Sequence, residues 1–168
     1  MRPHITLGGL PIDIHAGAPQ QQYTAETGWT DVRLSQGALV RMAHWAKESI
    51  TVSGSGWMGA GLDGLDYTQP QELRCTAPKT VTGPDVTLHI TGTPRPDVPP
   101  WAHALVGNRW VRTPVTMADK VATCTPVPGA STYRVSWMPV FMVLCQPPPE
   151  ALDSGAAAMQ WSFTAREI

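Results

Sequence analysis

Proline and glycine are spread along the whole chain, and they limit its fold more than any other feature of the sequence. The 168 residues include 17 prolines and 15 glycines, scattered from one end to the other. Because proline removes a backbone donor and glycine weakens regular structure, this spacing excludes long helices. It favours short strands joined by turns, and the length suffices for one well-packed domain with extensions.

Charge and cysteine spacing argue against several classes of function. The formal net charge is −1 and the 12 lysines and arginines are dispersed, so no nucleic-acid footprint is expected. Cys75, Cys124 and Cys145 lie far apart, which predicts neither a zinc site nor a disulfide framework. The N-terminal segment lacks a signal-peptide core, and no stretch approaches the roughly 18 apolar residues of a membrane span. We expect folding in a reducing cytosol and no membrane segment.

Alternating apolar residues predict strands along most of the chain. An opening hairpin is expected around Gly8-Gly9. A second hairpin is expected around Gln36-Gly37, although residues 38–47 also fit a short helix on propensity. The remaining predicted strands are 49–53, 72–77, 86–90, a hairpin of 101–106 with 109–115, 120–124 followed across a turn by 133–137, 140–145 and 159–163.

These elements predict a mainly β protein, a sandwich or barrel-like fold of antiparallel strands with long Pro/Gly-rich loops and little helix. Strand 140–145 is apolar at every position and is expected to be the most buried. The Pro-rich segment 93–100 is expected to be an extended connection. It would separate an N-terminal β region, 1–92, from a C-terminal β region, 101–168, and the two regions could share one core.

Motifs that could carry enzymatic chemistry lack the context that the chemistry requires. Gly54-x-Gly56-x-x-Gly59 follows a strand, but Asp63-Gly64 and Pro70 leave no room for the helix of a dinucleotide site. Asp63, Asp66 and Glu72 have no spacing that fixes a catalytic pair, and Ser131 lacks a nucleophile elbow. The five histidines and three cysteines show no metal-ligand spacing. We therefore expect no catalytic residues, no cofactor and no metal.

The seven tryptophans divide by position. Trp29, Trp57, Trp101 and Trp110 fall in or beside loops, where an indole either stacks on a ligand or partner or caps the core. Trp57 is the strongest interface candidate because glycines flank it. Trp45, Trp137 and Trp161 are expected in the interior.

Several short motifs together resemble tail-tip proteins of the distal-tail or baseplate type from siphophages and prophages. They span most of the chain: Arg33-Leu-Ser-x-Gly37, Trp45-x-Lys47, Ile50-Thr-Val-Ser-Gly-Ser-Gly-Trp57, Gly61-Leu-Asp-Gly-Leu-Asp-Tyr67, Leu73-Arg-Cys75, Arg95-x-Asp97, Pro100-Trp101-Ala102 and Trp161-Ser-Phe-Thr-Ala165. The resemblance implies a β-rich virion protein, made in the host bacterial cytoplasm. In the tail it would form a trimeric or hexameric ring between the tail tube and the host-facing tip, touching tube and hub proteins.

A ring subunit needs loops and sheet edges that its neighbours cover. The glycine-rich loop 54–67 is the expected contact, and Trp101 is a further candidate. The predicted interface residues are Trp57, Leu62, Leu65, Tyr67 and Trp101. The alternative is a carbohydrate-binding module or adhesin in which Trp29, Trp57 and Trp110 bind glycan, and a hydrolase is a third possibility.

Overall fold

The computed structural model describes residues 3–168, and they form a mainly β protein of antiparallel sheets, as the sequence predicts. One short 3-10 turn covers Ile14–Ala16. The strands are β1 (Thr6–Leu7), β2 (Leu10–Pro11), β3 (Gln20–Arg33), β4 (Leu39–Gly56), β5 (Gln71–Arg74), β6 (Lys79–Gly83), β7 (Thr87–His89), β8 (Thr93–Pro94), β9 (Trp101–Val106), β10 (Arg109–Thr113), β11 (Val115–Ala118), β12 (Val121–Cys124), β13 (Ala130–Trp137), β14 (Pro139–Cys145), β15 (Glu150–Asp153) and β16 (Ala158–Glu167).

The chain divides into two compact units, each built from separate stretches of sequence. Among the described residues, unit 1 comprises residues 3–6 and 72–141, and unit 2 comprises residues 7–71 and 142–168. These bounds differ from the predicted regions 1–92 and 101–168. The difference arises because the last strand, β16, pairs with β4 from the first half of the chain, so that sheet formation joins residues more than 100 positions apart.

Unit 1 contains two sheets around one core. A four-stranded sheet has the order β10-β9-β13-β6, and a three-stranded sheet has the order β11-β12-β7. Buried residues from both sheets form a single cluster: Leu88, Ile90, Ala102, Ala104, Ala122, Cys124, Tyr133, Val135 and Trp137. The cluster combines small residues, Ala102 and Ala104, with the large Trp137, as close packing of a core requires.

Arg95 is the most buried charged side chain of unit 1, with 3% of its surface exposed. Its Nη1 donates to the carbonyls of His4 and Cys75 at 3.0 and 3.1 Å. Its Nε and Nη2 form a two-pronged bond with Asp97, both at 2.7 Å. Four of the five N–H groups of the guanidinium are thus bonded, and the charge is paired with a carboxylate, which is what burial of a charge requires.

Unit 2 is built on the sheet order β14-β16-β4-β3, with β15 added to β16. One face of this sheet, the core face, carries buried side chains: Ile50, Val52, Trp161, Phe163 and Ala165. Trp161 Nε1 donates to the carbonyl of Ala16 at 2.8 Å, so the indole is satisfied inside the core. The other face, the open face, carries hydroxyl and amide side chains over the same stretch, including Gln22, Thr24, Thr51, Ser162 and Thr164.

Most predicted strands are confirmed, including the second hairpin, and two expectations are wrong. Residues 39–47 lie in β4, so the helical alternative for this stretch fails. Strand 120–124 does not pair with 133–137: β12 lies between β11 and β7, while β13 pairs with β9 and β6. Strand β14 is buried on one face only, since Met142 and Leu144 are exposed. None of the helices in the described residues is long and apolar enough to span a membrane.

Candidate functional site

The hairpin of β3 and β4 extends beyond the core of unit 2 as a two-stranded ribbon. Pairing of β4 with β16 covers Ser49 to Gly56, whereas pairing of β4 with β3 continues out to Arg33 and Leu39. Every residue from Trp29 to Ala46 is exposed. We call residues 28–45 the β-arm. Arg33 Nη1 donates to the carbonyl of Gly37 and closes its tip at 3.2 Å.

The open face of the β-arm is apolar. Directly paired residues share a face, so Val32 and Val40, Thr30 and Met42, and Gly28 and Trp45 lie on the same side as the hydroxyl residues of the open face. Val32, Val40, Met42 and Trp45 are all large exposed apolar side chains, and Trp45 is 53% exposed. Along β3 and β4 the open face therefore changes from polar, where β4 pairs with β16, to apolar in the β-arm.

A β-bulge sets this change of polarity. Gly28 pairs with Trp45 and Trp29 pairs with Ala43, so His44 is an extra residue in β4. An extra residue shifts the alternation of the strand by one position. Val40 and Met42 consequently point to the open face, although Ile50 and Val52, at the same even spacing in β4, point to the core.

The Trp45 indole lies directly on Gly28. A Cβ atom at position 28 would come within 2.2 Å of Trp45 Nε1, so only glycine leaves space for the ring. This is a cross-strand pair in which an aromatic side chain covers a strand glycine. The prediction that Trp45 is an interior residue is therefore wrong. Its ring lies against Gly28 of the neighbouring strand, and about half of the residue remains exposed.

The opposite face of the β-arm carries a cluster of side chains that contact one another. Arg41 forms two hydrogen bonds of 2.7 Å with the Asp31 carboxylate, and its guanidinium lies 4.4 Å from the Trp29 ring. Hydrogen bonding to Arg41 lowers the pKa of Asp31. Trp29 therefore has one ring face occupied within the chain.

A second apolar patch lies on the open face of the unit 2 body. Met142, Leu144 and Ile168 are half-exposed, and Leu144 pairs with Arg166 in β16. Ile168 N–H donates to the Met142 carbonyl at 3.1 Å, which places Ile168 beside Met142. A groove of about 540 Å³ lies next to Leu144, and its walls include Pro147, Pro149, Phe163 and Thr164.

The predicted interface loop is only partly on the surface. Trp57 is 67% exposed, and its ring lies 5.6 Å from the His15 ring. Ile14, which precedes His15, and Met58, which follows Trp57, are also exposed. Met58 N–H donates to the His15 carbonyl at 3.2 Å. Trp57 thus belongs to a small exposed apolar patch formed by the 3-10 turn and the end of β4.

Leu62, Leu65 and Tyr67 stabilise the conformation of the loop itself. Leu62 is 1% exposed and belongs to the core, so its side chain is not available to a neighbour. Tyr67 Oη donates to the Leu62 carbonyl at 2.8 Å, and Leu65 N–H donates to the same oxygen at 3.3 Å. Burial raises the pKa of Tyr67. Leu65 and Tyr67 are half-buried.

The remaining tryptophans of interest lie apart from that loop in the sequence. Trp101 is half-buried in β9 of unit 1. Trp110 is in β10 of the same unit, and the Arg134 guanidinium lies 4.3 Å from its ring. Trp29 and Trp110 thus each have an arginine over one ring face.

Residues considered for catalysis or metal binding have local roles. Asp66 accepts hydrogen bonds from the Thr68 hydroxyl and N–H, which lower the pKa of Asp66. Glu72 pairs with Arg74 at 2.6 Å. Burial raises the pKa of the Cys124 and Cys145 thiols. Within residues 3–168, no group of three or more His, Cys, Asp or Glu side chains could hold a metal ion.

The glycines of the Gly54-x-Gly56-x-x-Gly59 motif permit close backbone approach. Gly54 and Gly56 lie at the end of β4. A Cβ at Gly56 would come within 2.3 Å of the His15 carbonyl oxygen, so glycine allows the 3-10 turn to lie against the strand. Among the described residues no helix follows this motif.

Comparison with known proteins leaves the function to be argued from this architecture. A scan against the models of known protein families and a search of the curated proteins both give no match to the sequence.

Proposed function

We propose that this protein is a non-enzymatic structural subunit of the tail tip of a long-tailed bacteriophage, of the distal-tail or baseplate type. Copies assemble into a trimeric or hexameric ring in the virion. This ring connects the tail tube to the host-facing tip and contacts tube and hub proteins. The tail assignment comes from the resemblance of the motifs between Arg33 and Ala165 to such proteins.

The observation that carries the proposal is the apolar β-arm. A two-stranded ribbon is at best marginally stable in water, and this one exposes Trp45, Met42, Val40 and Val32 on one face. Exposed apolar surface of this extent is typical of a protein interface. An assembly protein gains from such an arm, because a neighbouring subunit covers its apolar face when the assembly forms.

The net charge agrees with close packing of many copies. At a formal charge of −1, identical subunits repel one another little. A ring subunit with a large charge of one sign would need counter-charges at each interface.

The direct test is immunolabelling of native phage particles with an antibody against this chain, followed by negative-stain imaging. Label at one end of the tail, beyond the tube, is the expected result. A pre-immune serum is the control. Label along the tube or on the capsid, or no label on any particle, would refute the tail-tip assignment.

A second candidate function is glycan binding, favoured by the exposure of Trp57. Its indole is the most exposed tryptophan side chain of the described residues, and an exposed ring can stack on a sugar. Titration of the isolated protein with host-surface polysaccharide would then change its tryptophan fluorescence, and Trp57→Ala would remove the change. If both proteins give a flat titration, glycan binding fails and the assembly proposal stands.

A further inference from the structure

The two apolar patches of unit 2 lie on the same face of one sheet. The first consists of Val32, Val40, Met42 and Trp45 in the β-arm, and the second of Met142, Leu144 and Ile168 in the body. Continuous strand pairing from β14 through β16 and β4 to β3 fixes the common direction of these side chains. Because strands in register cannot fold back on their own sheet, neither patch can cover the other within one chain.

We infer that the open face of the β-arm in one copy docks on the Met142–Leu144–Ile168 patch and the adjoining groove of a second copy. This inference deepens the proposed function and rests on it for the closed ring. Each copy would present an arm to one neighbour and a body patch to another. Such a head-to-tail contact is the kind that generates rings.

The size of the patches fits a contact between two copies. Seven half-exposed apolar side chains together offer on the order of 500 Å² of apolar surface, near the upper end for a monomer. One arm-to-body contact buries all seven of these side chains, four from one copy and three from the other. Because apolar atoms supply somewhat over half of a typical interface, the whole contact covers about 900 Å², close to the roughly 1,000 Å² at which specific interfaces begin. Ring closure stabilises such a contact further, because each copy then makes two of them.

The chemistry of the receiving surface also suits the arm. The groove beside Leu144 has walls of mixed polarity: Leu144, Pro147 and Pro149 supply apolar surface, and Ser162, Thr164 and Arg166 supply polar surface. An aromatic anchor in an apolar pocket with a polar rim is the usual centre of a stable interface. Trp45 is the β-arm side chain of that kind, and its position on Gly28 holds the ring in place before binding.

Cross-linking of the full-length chain tests the inference. One preparation carries Met42→Cys and the other Leu144→Cys, both with Cys145→Ser, while Cys75 and Cys124 are buried. The mixture is treated with a short bis-maleimide. We expect a covalent dimer that neither preparation forms alone. The matched control is Leu39→Cys, an equally exposed residue on the opposite face of the β-arm, with at least tenfold less dimer expected.

Light scattering on the uncross-linked chain gives an independent measure. Val40→Asp places a charge on the apolar face, and Leu39→Asp places it on the other face of the same strand. We expect self-association of the parent chain to be lost in Val40→Asp and retained in Leu39→Asp. Equal effects of the two substitutions, or equal cross-linking from positions 42 and 39, would overturn the inference.

The outcomes separate this inference from the proposed function. A chain that labels the tail tip but gives no dimer has its β-arm covered by a different tail protein, and only the second-copy inference fails. A chain that forms the dimer but labels no particle assembles elsewhere, and the tail-tip function fails instead.

Discussion

Gly28 and Trp45 show how a single residue prepares the surface of the β-arm. The indole can lie on this residue only because glycine has no Cβ: a Cβ there would come within 2.2 Å of Trp45 Nε1. Without that support a large aromatic side chain would sample several rotamers in water. Binding would then have to fix one of them, at a cost in conformational entropy. The glycine therefore contributes to affinity without touching the partner.

Gly28→Ala should displace the Trp45 indole. We expect a large shift of the Trp45 indole N–H resonance in a spectrum of the ¹⁵N-labelled protein. The change in unfolding free energy should stay below about 0.5 kcal/mol, because the site is at the surface. Gly64→Ala is the control, since nothing lies within 4 Å of a Cβ at that position. An unmoved Trp45 resonance would show that the ring does not rest on Gly28.

Arg95 differs from Trp45 because its side chain is buried and its hydrogen bonds are made inside unit 1. Arg95→Met should destabilise the protein by about 3 kcal/mol, since it removes a donor from the His4 carbonyl and from the buried Cys75 carbonyl. Arg41→Met is the matched control: Arg41 makes the same two-pronged bond with Asp31, but on the exposed β-arm, and should contribute far less to stability. Urea denaturation of the three proteins measures both values. Equal losses would mean that burial of Arg95 is unimportant.

The bond between Arg95 and Asp97 predicts a dependence of stability on pH. Hydrogen bonding to Arg95 lowers the pKa of Asp97 in the folded protein. A carboxyl with a lowered pKa stabilises the fold above its unfolded pKa of about 3.9 and loses that contribution as pH falls towards the folded value. Below about pH 4, parent stability should fall more steeply than that of Asp97→Asn. Parallel curves in that window would contradict this assignment.

At the scale of elements, the β-arm is separable from the core. The buried residues of β4, Ile50 and Val52, lie where β16 pairs with it, beyond the point at which the β-arm begins. Loss of the β-arm thus removes side chains that contact water on both faces of the ribbon, and leaves the core sheet with its partners.

Replacement of residues 28–45 by Asn-Gly should produce a folded protein that no longer self-associates. Thr27 and Ala46 are directly paired, and Asn-Gly forms the two-residue turn that such a pair needs. We expect the midpoint of thermal unfolding to change by no more than a few degrees, measured by circular dichroism, while light scattering gives a monomer. A shortened chain that still assembles would place the interface elsewhere.

At the scale of the whole molecule, assembly should change which backbone amides exchange with solvent. Amides of the β-arm are expected to exchange rapidly in the isolated chain, because that ribbon has water on both faces. Amides of β16 opposite β4 should exchange slowly. In the assembled state the β-arm should become protected, as hydrogen–deuterium exchange with mass spectrometry can measure. Unchanged β-arm exchange in purified assemblies would exclude it from the contact.

The sequence predicts the mainly β class and most strands, because proline, glycine and alternating apolar residues act locally. It does not predict the two discontinuous units, which depend on pairing between β16 and β4 across more than 100 residues. The apolar face of the β-arm is also missed. Val40 and Met42 share even spacing with Ile50 and Val52, and only the bulge at His44 separates exposed from buried positions.

The extra residue at His44 also bears on how such a protein can change. Loss of one codon there would remove the extra residue but keep Val40 opposite Val32 and Met42 opposite Thr30, so the apolar side of the β-arm would stay where it is. Loss of one residue from each strand at a directly paired position, such as Thr27 and Ala46, would instead turn the whole ribbon over relative to the body, because side chains alternate with a period of two. Partner choice in related assemblies can therefore change through strand phase, but only when both strands of the hairpin change together.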